Sequence, residues 1–470
     1  MSKETIENRT FAEIAVGDSA TLTRTLSQQD ISLFAAASGD VNPTHLDNEY
    51  MKKRDLGGVV GHSLWGGALI SNLLGNVLPG TGTVYRRQDL RFLQPVYVGD
   101  TVTVTIKVTD KKVEHNLVIF DCRLVNQQQA LILTGTAEVL APTEKWAGPA
   151  VEAAGITIQR HDRYKALIER CSKLEPVSVA VAHPCEETAL RGAIEAAEAG
   201  LIKPILIGPT QKILQVAAEC GLNLKAYRVV DAEHSHAAAA KAVELVRAGE
   251  AEVLMKGSLH TDELLGAVVS SSTGLRTERR ITHVFVMDVP TYHKVLLITD
   301  AAINIAPDLD AKRDICQNAI DLAQALGVKV PKVAILSAVE TVRAKIPSTV
   351  EAAALCKMAE RGQITGAILD GPLAMDNAIS KEAAKTKGIE SEVAGDADIL
   401  LAPDLEAGNI LAKELTFLAQ ADAAGLVLGA RVPIVLTSRA DNVRSRMASC
   451  AVAVLYAHAL RGGKPSAGVS

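Results

Sequence analysis

TVTVTIKVTD (residues 101–110) alternates polar and apolar side chains, with Val, Val, Ile and Val at positions 102, 104, 106 and 108. Successive strand residues face opposite sides of a sheet, so this stretch reads as an antiparallel strand with one buried and one solvated face. The same alternation runs through residues 19–27, 83–93, 115–126 and 130–140. Between the first of these and the rest lie residues 28–37, with helical periodicity, a polar loop, and residues 63–77, an uncharged stretch rich in Gly, Ala and Leu. So little polar surface predicts a helix buried on all sides. Residues 1–140 therefore form an α+β domain, one central helix wrapped by an antiparallel sheet.

Residues 141–160 lose the alternation and are expected to be a linker. Beyond them the pattern changes to short apolar runs: VSVAVAH (177–183), PILIG (204–208), EVLMK (252–256), HVFVMD (283–288), KVLLITD (294–300), KVAILS (332–337), GAILD (366–370), DILLA (398–402) and PIVLT (433–437). Most are separated by Ala-rich helical stretches, the βαβ pattern of parallel sheets covered on both faces. A segment of this length, 161–470, predicts two α/β subdomains rather than one. The aromatics break at the same place. Nine of the 15 Trp, Tyr and Phe fall in residues 1–146, because Val, Ile, Leu and Ala fill buried parallel strands.

Composition excludes several classes. Apolar residues make up 48% and charged residues 22%, and the net charge is −5, which is globular and does not suit an extended nucleic-acid surface. The longest apolar stretches fall short of the roughly 18 residues a bilayer needs. MSKETIENRT has no apolar signal-peptide core. Seven cysteines without CxxC spacing are expected to be reduced and buried in a cytoplasmic protein. No GxGxxG follows a strand and no GxxxxGK[ST] is present, so the usual nucleotide-phosphate loops are missing from the α/β part.

Two stretches carry chemistry. In SGDVNPTH (38–45), Asp40, Asn42 and His45 lie close together, stiffened by Pro43. A carboxylate beside an imidazole can activate one water. The GHSLWGG turn (61–67) opens the buried helix, and N–H groups there can hold an oxyanion. The same residues also fit an Asx turn with a helix cap and a solvent-facing histidine. SGDVNPTHLDNEY, then HSLWGGALIS, then LRFLQPVYVGDTVTV resemble the (R)-specific enoyl-CoA hydratases of the MaoC-like hotdog family over residues 10–140. The resemblance implies a hotdog fold, with Asp40 and His45 as the water-activating pair and Asn42 in support. Ser63 stands where that family has the oxyanion-hole Gly. It keeps the N–H and adds a side chain.

The second stretch is IVLTSRADN (434–442), an apolar strand running into a helix, with Thr437, Ser438 and Arg439 at the junction. Free N–H groups and a forked guanidinium favour an anion such as inorganic phosphate. Asp441 could accept a proton or simply satisfy the helix dipole. An ordinary Ser cap with a surface Arg is the plainer alternative. KGSLHTD (256–262), with Lys256, His260 and Thr261, again follows a strand and opens a helix, and residues 370–380 and 403–410 are polar loops at strand ends. Together these segments resemble the phosphate acetyl/butyryltransferase family over residues 160–465. The resemblance implies acyl transfer between CoA and phosphate, a cleft between two α/β subdomains, and a first subdomain completed by residues 430–465. It places Ser438 and Arg439 at the phosphate and thioester site. Asp441 sits nearer to Ser-Arg than the base proposed in acetyl-specific members, and Gly266 occupies the place of an Arg found in them. LDGPLAMDNAIS and SSTGLRTERR are closer to the butyryl branch.

The remaining signals are weaker. Lys52, Lys53, Arg54, Arg86 and Arg87 could meet CoA phosphates or form a solvated face, and Arg276, Arg279 and Arg280 could attract CoA. His234 and His236 read as a solvated helix start and His183-Pro-Cys185 as packing. The expectation is a homo-oligomeric, cytoplasmic fusion of two acyl-CoA chemistries. Its substrates are acyl-CoA and phosphate, with no metal, cofactor, nucleic acid or membrane.

Overall fold

The computed structural model describes residues 5–54, 57–149, 162–436 and 443–462. The chain divides into two compact units, Met1–Ile158 and Gln159–Ser470.

In the first unit, β2 (Ser19–Thr25), β3 (Val84–Phe92), β4 (Thr101–Lys112), β5 (Leu117–Val125) and β6 (Leu131–Leu140) form an antiparallel sheet in the order β2-β4-β5-β6-β3. The alternation has a direct structural consequence. Val102, Val104, Ile106, Val118, Phe120, Cys122 and Leu124 are all fully buried on one face. The helix Ser63–Asn76 lies on that face through Trp65, Leu69, Ile70, Leu73 and Leu74. Gly66 lets it come close, since a Cβ there would stand 3.1 Å from Leu124. The helix is not buried all round. Ser63, Leu64, Ala68, Ser71 and Asn72 are exposed, because small residues lower polarity without demanding burial. The linker also begins later than its composition suggests. Ala147–Pro149 (β7) pairs with Thr5–Glu7 (β1), the Phe11 N–H donates to the Pro142 carbonyl at 2.8 Å, and the Trp146 N–H donates to Asn8 Oδ1 at 2.8 Å.

In the second unit, the described strands are β8 (Val177–Ala182), β9 (Ile202–Gly208), β10 (Arg228–Asp231), β11 (Val253–Lys256), β12 (Thr282–Asp288), β13 (Leu296–Thr299), β14 (Lys332–Leu336), β15 (Ile368–Leu373), β16 (Ile399–Leu401), β17 (Asp422–Leu428) and β18 (Ile434–Val435). They share one sheet, ordered β10-β9-β8-β11-β18-β17-β12-β13-β16-β14-β15. Each half is parallel at its periphery, but β12 and β17 pair antiparallel with each other and with β13 and β18. The sheet is therefore mixed rather than wholly parallel. By this register β8, β9, β11 and β18 run opposite to β13, β14, β15 and β16. The helix Val443–Arg461, almost wholly buried, rests on the first half, and Arg446 donates to the Thr188 carbonyl at 3.0 Å.

At the N-terminal ends of β13, β14 and β16, Asp396 accepts from Lys332, His293 and Lys294 at 2.7, 2.8 and 3.1 Å. Burial pushes its carboxyl up, but hydrogen bonds from Lys332, His293 and Lys294 and the Lys294 charge more than offset that and hold it well below the ordinary carboxylate range. A depressed carboxyl stabilises the fold fully above its ordinary value of 3.8, and that contribution fades as pH falls further. Asp396→Asn is expected to cost about 1–3 kcal/mol at pH 7, with the gap to wild type closing in acid. Calorimetry across pH checks this. Equal melting points at pH 7 would refute it.

Candidate functional site

The helix Gln28–Ser38 ends where Gly39 turns left-handed (φ 75°) and its N–H donates to the Ala35 carbonyl. The chain then delivers Asp40. Asn42 caps the short helix Pro43–Leu46, its Oδ1 accepting from the Thr44 N–H and hydroxyl, both at 3.1 Å. Asn42 thus works on the loop and takes the Asx-turn role. His45 follows, 14% exposed at its side chain, and its Nδ1 donates to the Val60 carbonyl at 2.8 Å. That bond leaves the Nε2 lone pair facing Asp40 Oδ2 at 3.8 Å. Two acceptors at this separation do not bond each other. They can accept both hydrogens of one water and leave its own lone pairs free to attack. The Asp40 side chain is 52% exposed, so substrate and water can reach it.

A third group belongs here that the sequence did not single out. His62, 4% exposed, is the N-cap of the helix Ser63–Asn76. Its Nε2 donates to the Asp40 carbonyl at 2.9 Å, and its ring stacks on His45 with centroids 3.9 Å apart and planes 29° from parallel. Phe34 lies against the same ring at 5.0 Å. One ligand atom from each of Asp40, His45 and His62 lies within 4.8 Å of the others, a separation that would admit a metal ion. Near-parallel rings, however, aim their in-plane lone pairs alongside each other rather than at one point, which suits an acid-base cluster better than a metal centre. Ser63 is exposed in the first turn of its helix, where N–H groups are available to an oxyanion. Of the nearby cations, Arg54 lies 4.7 Å over the Tyr50 ring and Arg87 pairs with Asp89 at 2.9 Å.

In the second unit, the chain steps from β8 outward to β9 and β10 and then crosses back to β11 on the other side of β8. Ligands of α/β sheets bind at such a switch point, outside the C-terminal strand ends. Lys256, Gly257 and Ser258 lie there. The Gly257 and Ser258 N–H groups donate to the Ala182 and His183 carbonyls, both at 2.9 Å. His183 adopts a left-handed φ of 56°, and its Nδ1 meets Ser258 Oγ at 3.2 Å. Burial, then Lys212, hold its pKa down. His183 is thus tied to the Ser258 turn at this strand end, and the signal was a histidine ending a strand just before Pro184. His260 occupies the N-cap position of the helix Thr261–Val268 without a capping bond from its side chain, and the Lys256 ammonium donates to the Gly257 and Leu259 carbonyls at 3.2 and 3.0 Å.

Thr437, Ser438, Arg439 and Asp441 lie outside the described residues. The strand that leads to them, β18, pairs in register with β11, Met255 opposite Val435. Arg276 does not join Lys256. It bridges Ala430, near the opposite end of β18. Arg279 pairs with the buried Asp321, and Arg280 donates to Asn304 at 2.9 Å. The polar loops after β15 and β16 also open at the end away from Lys256, since those strands run the other way. His234 caps its helix through Nδ1, and Glu263 comes within 3.9 Å of His236. All seven cysteines are unpaired, and no described helix is long and apolar enough to cross a membrane.

Residues 232–454 match the family model described as phosphate acetyl/butaryl transferase, and residues 13–124 match that of the MaoC like domain. A phosphate acetyltransferase of Rhizobium meliloti is 68% identical over 65% of this chain and 96% of its own length. A phosphate butyryltransferase of Clostridium acetobutylicum is 40% identical over 63% of this chain and 98% of its own. Among solved structures, a branched-chain phosphotransacylase from Enterococcus faecalis V583 superposes with a TM-score of 0.54 at 33% identity, covering 60% of this chain and 99% of the other.

Proposed function

Because the chain belongs to the phosphate acetyl/butyryltransferase family and carries a MaoC-like domain ahead of it, we propose that it is a bifunctional acyl-CoA enzyme. Residues 161–470 exchange acyl groups between CoA and phosphate, and residues 1–140 hydrate (R)-specifically a double bond conjugated to a thioester. The observation that carries the first reading is the 68% identity extending over 96% of a phosphate acetyltransferase. A phosphate oxygen attacks the thioester carbonyl, the C–S bond breaks, and the thiolate leaves as CoA once protonated. Ser438 and Arg439 are assigned to phosphate and thioester, with Asp441 as a proton acceptor and Lys256, His260, Thr261 and Thr437 lining the anion site.

The second reading is carried by the Asp40–His45 geometry. Water held between the two acceptors adds its oxygen to Cβ and gives up a proton to the pair. The enolate oxygen forms near the Ser63 N–H, and Cα then takes up the proton that the pair received, which returns the pair to its starting state. Acyl-CoA and phosphate enter as substrates, and the scheme draws on no metal or redox cofactor. We also assign a cytoplasmic homo-oligomer. The unpaired thiols suit a reducing compartment, and β2 and β3 are sheet edges that a second copy could cover. A monomeric mass in light scattering would refute the oligomer.

A phosphate-dependent CoA-release assay tests the transferase across acetyl-, propionyl- and butyryl-CoA. Turnover of about 1–10³ s⁻¹ with at least one chain length is expected. No release with any of them would sink the assignment.

A further inference from the structure

The geometry points to His62 as a positioning residue of the hydration site. It holds the Asp40 loop through one ring nitrogen and sets the plane of His45 through its face, an inference that rests on the hydratase reading above.

Three contacts carry it. A carbonyl only accepts, so the 2.9 Å bond to the Asp40 carbonyl fixes a proton on His62 Nε2. Nδ1 is buried without a hydrogen-bond partner, so a second proton there would have no acceptor. His62 is thereby held as the Nε2–H tautomer, uncharged beside the pair. That matters once His45 takes the proton of water. The imidazolium then faces the π surface of a neutral ring 3.9 Å away, which attracts a cation, rather than a second cation, which would repel it.

The loop bond matters equally. Asp40 lies on an exposed turn whose other bonds are short in sequence: its N–H to Ser38 Oγ at 3.2 Å and its Oδ1 to the Asn42 N–H at 3.3 Å. His62 ties that turn to the start of the helix Ser63–Asn76, 22 residues away. The Val60 carbonyl, two residues before His62, fixes the His45 tautomer at the same time. One short segment thus orients both members of the pair, as outer partners do for reacting side chains elsewhere.

The test uses the full chain with His62→Phe and His62→Gln, and crotonyl-CoA as the hydration substrate. Phenylalanine keeps a ring against His45 and loses the donor. Glutamine keeps an amide N–H that can reach the Asp40 carbonyl and loses the stack. His62→Phe is expected to lower kcat by about 10²-fold, with KM within about twofold, because His62 touches the pair and not the substrate. His62→Gln should recover about tenfold of that loss.

NMR of ring-¹⁵N-labelled histidine gives a second measurement independent of turnover. At neutral pH His62 should report the Nε2–H tautomer and His45 the Nδ1–H tautomer. A kcat for His62→Phe within twofold of wild type, or an Nδ1–H tautomer at His62, would overturn the inference. If His62→Phe melts early, His62→Gln and the tautomers decide. If the wild type hydrates nothing while the tautomers are as stated, the hydratase reading fails and the positioning of Asp40 by His62 stands.

Discussion

Asp40→Asn is expected to lower crotonyl-CoA hydration by about 10³-fold or more and to leave phosphate-dependent CoA release within about twofold of wild type. The substitution removes the charge and little else. An amide oxygen can still accept from the Asn42 N–H, as Asp40 Oδ1 does at 3.3 Å, and the backbone carbonyl that receives His62 Nε2 is untouched. What changes is the water. A carboxylate and the bare Nε2 of His45 are two acceptors, whereas an amide can present an N–H to the same position and turn the water over. The loss should therefore appear in kcat, with melting unchanged. Both assigned sites lie on one chain, so transfer by the same preparation controls for concentration. If Asp40→Asn hydrated at the wild-type rate, the assigned pair would be wrong. If the wild type itself hydrated nothing, residues 1–140 would be an assembly or acyl-CoA-binding module on a single-activity transferase.

Local features were legible in the sequence, and features that depend on chain direction or distant contact were not. The alternation in β4 and β5 reads correctly because one face of the sheet is buried and the period of two leaves no other arrangement. Asp40, Asn42 and His45 are legible because eight residues hold them all. His62 is not. Its role arises from Asp40, His45 and Phe34, which lie 17 to 28 residues earlier in the chain, and nothing in its own neighbourhood announces them.

Strand β17 was missed for a packing reason. Its Asp-Ala-Ala-Gly start lacks β-branched residues, yet it pairs with β12 over its full length. A Cβ on Gly425 would stand 3.1 Å from His283 Nε2, so the strand is built small to pass that ring. Apolar runs do not encode direction either. The antiparallel β12 and β17 reverse the second half of the sheet, and that reversal separates the polar loops after β15 and β16 from Lys256 although all of them lie at strand ends.

Gly257→Ala is expected to reduce CoA release by about 10²-fold or more and to lower the melting temperature of the second unit, with hydration unchanged. No positive φ is involved. The cause is close approach. A Cβ at 257 would stand 2.4 Å from the Ala182 carbonyl oxygen and 2.5 Å from that of His183. Neither oxygen can retreat cheaply. The Ala182 oxygen accepts from the Gly257 N–H, and the His183 oxygen accepts from the Ser258 N–H and, at 2.7 Å, from Ser258 Oγ. β8 is itself locked between β9 and β11. The added methyl must therefore push the 257 backbone outward, breaking two of the bonds that define the turn and carrying Lys256, His260 and Thr261 away from β8. A displacement near 1 Å is enough to cost about 10²-fold when groups must converge on one anion. Calorimetry separates the two consequences. A variant that melts normally yet transfers slowly has lost geometry at the switch point, whereas normal transfer would show that the turn lies away from the reaction.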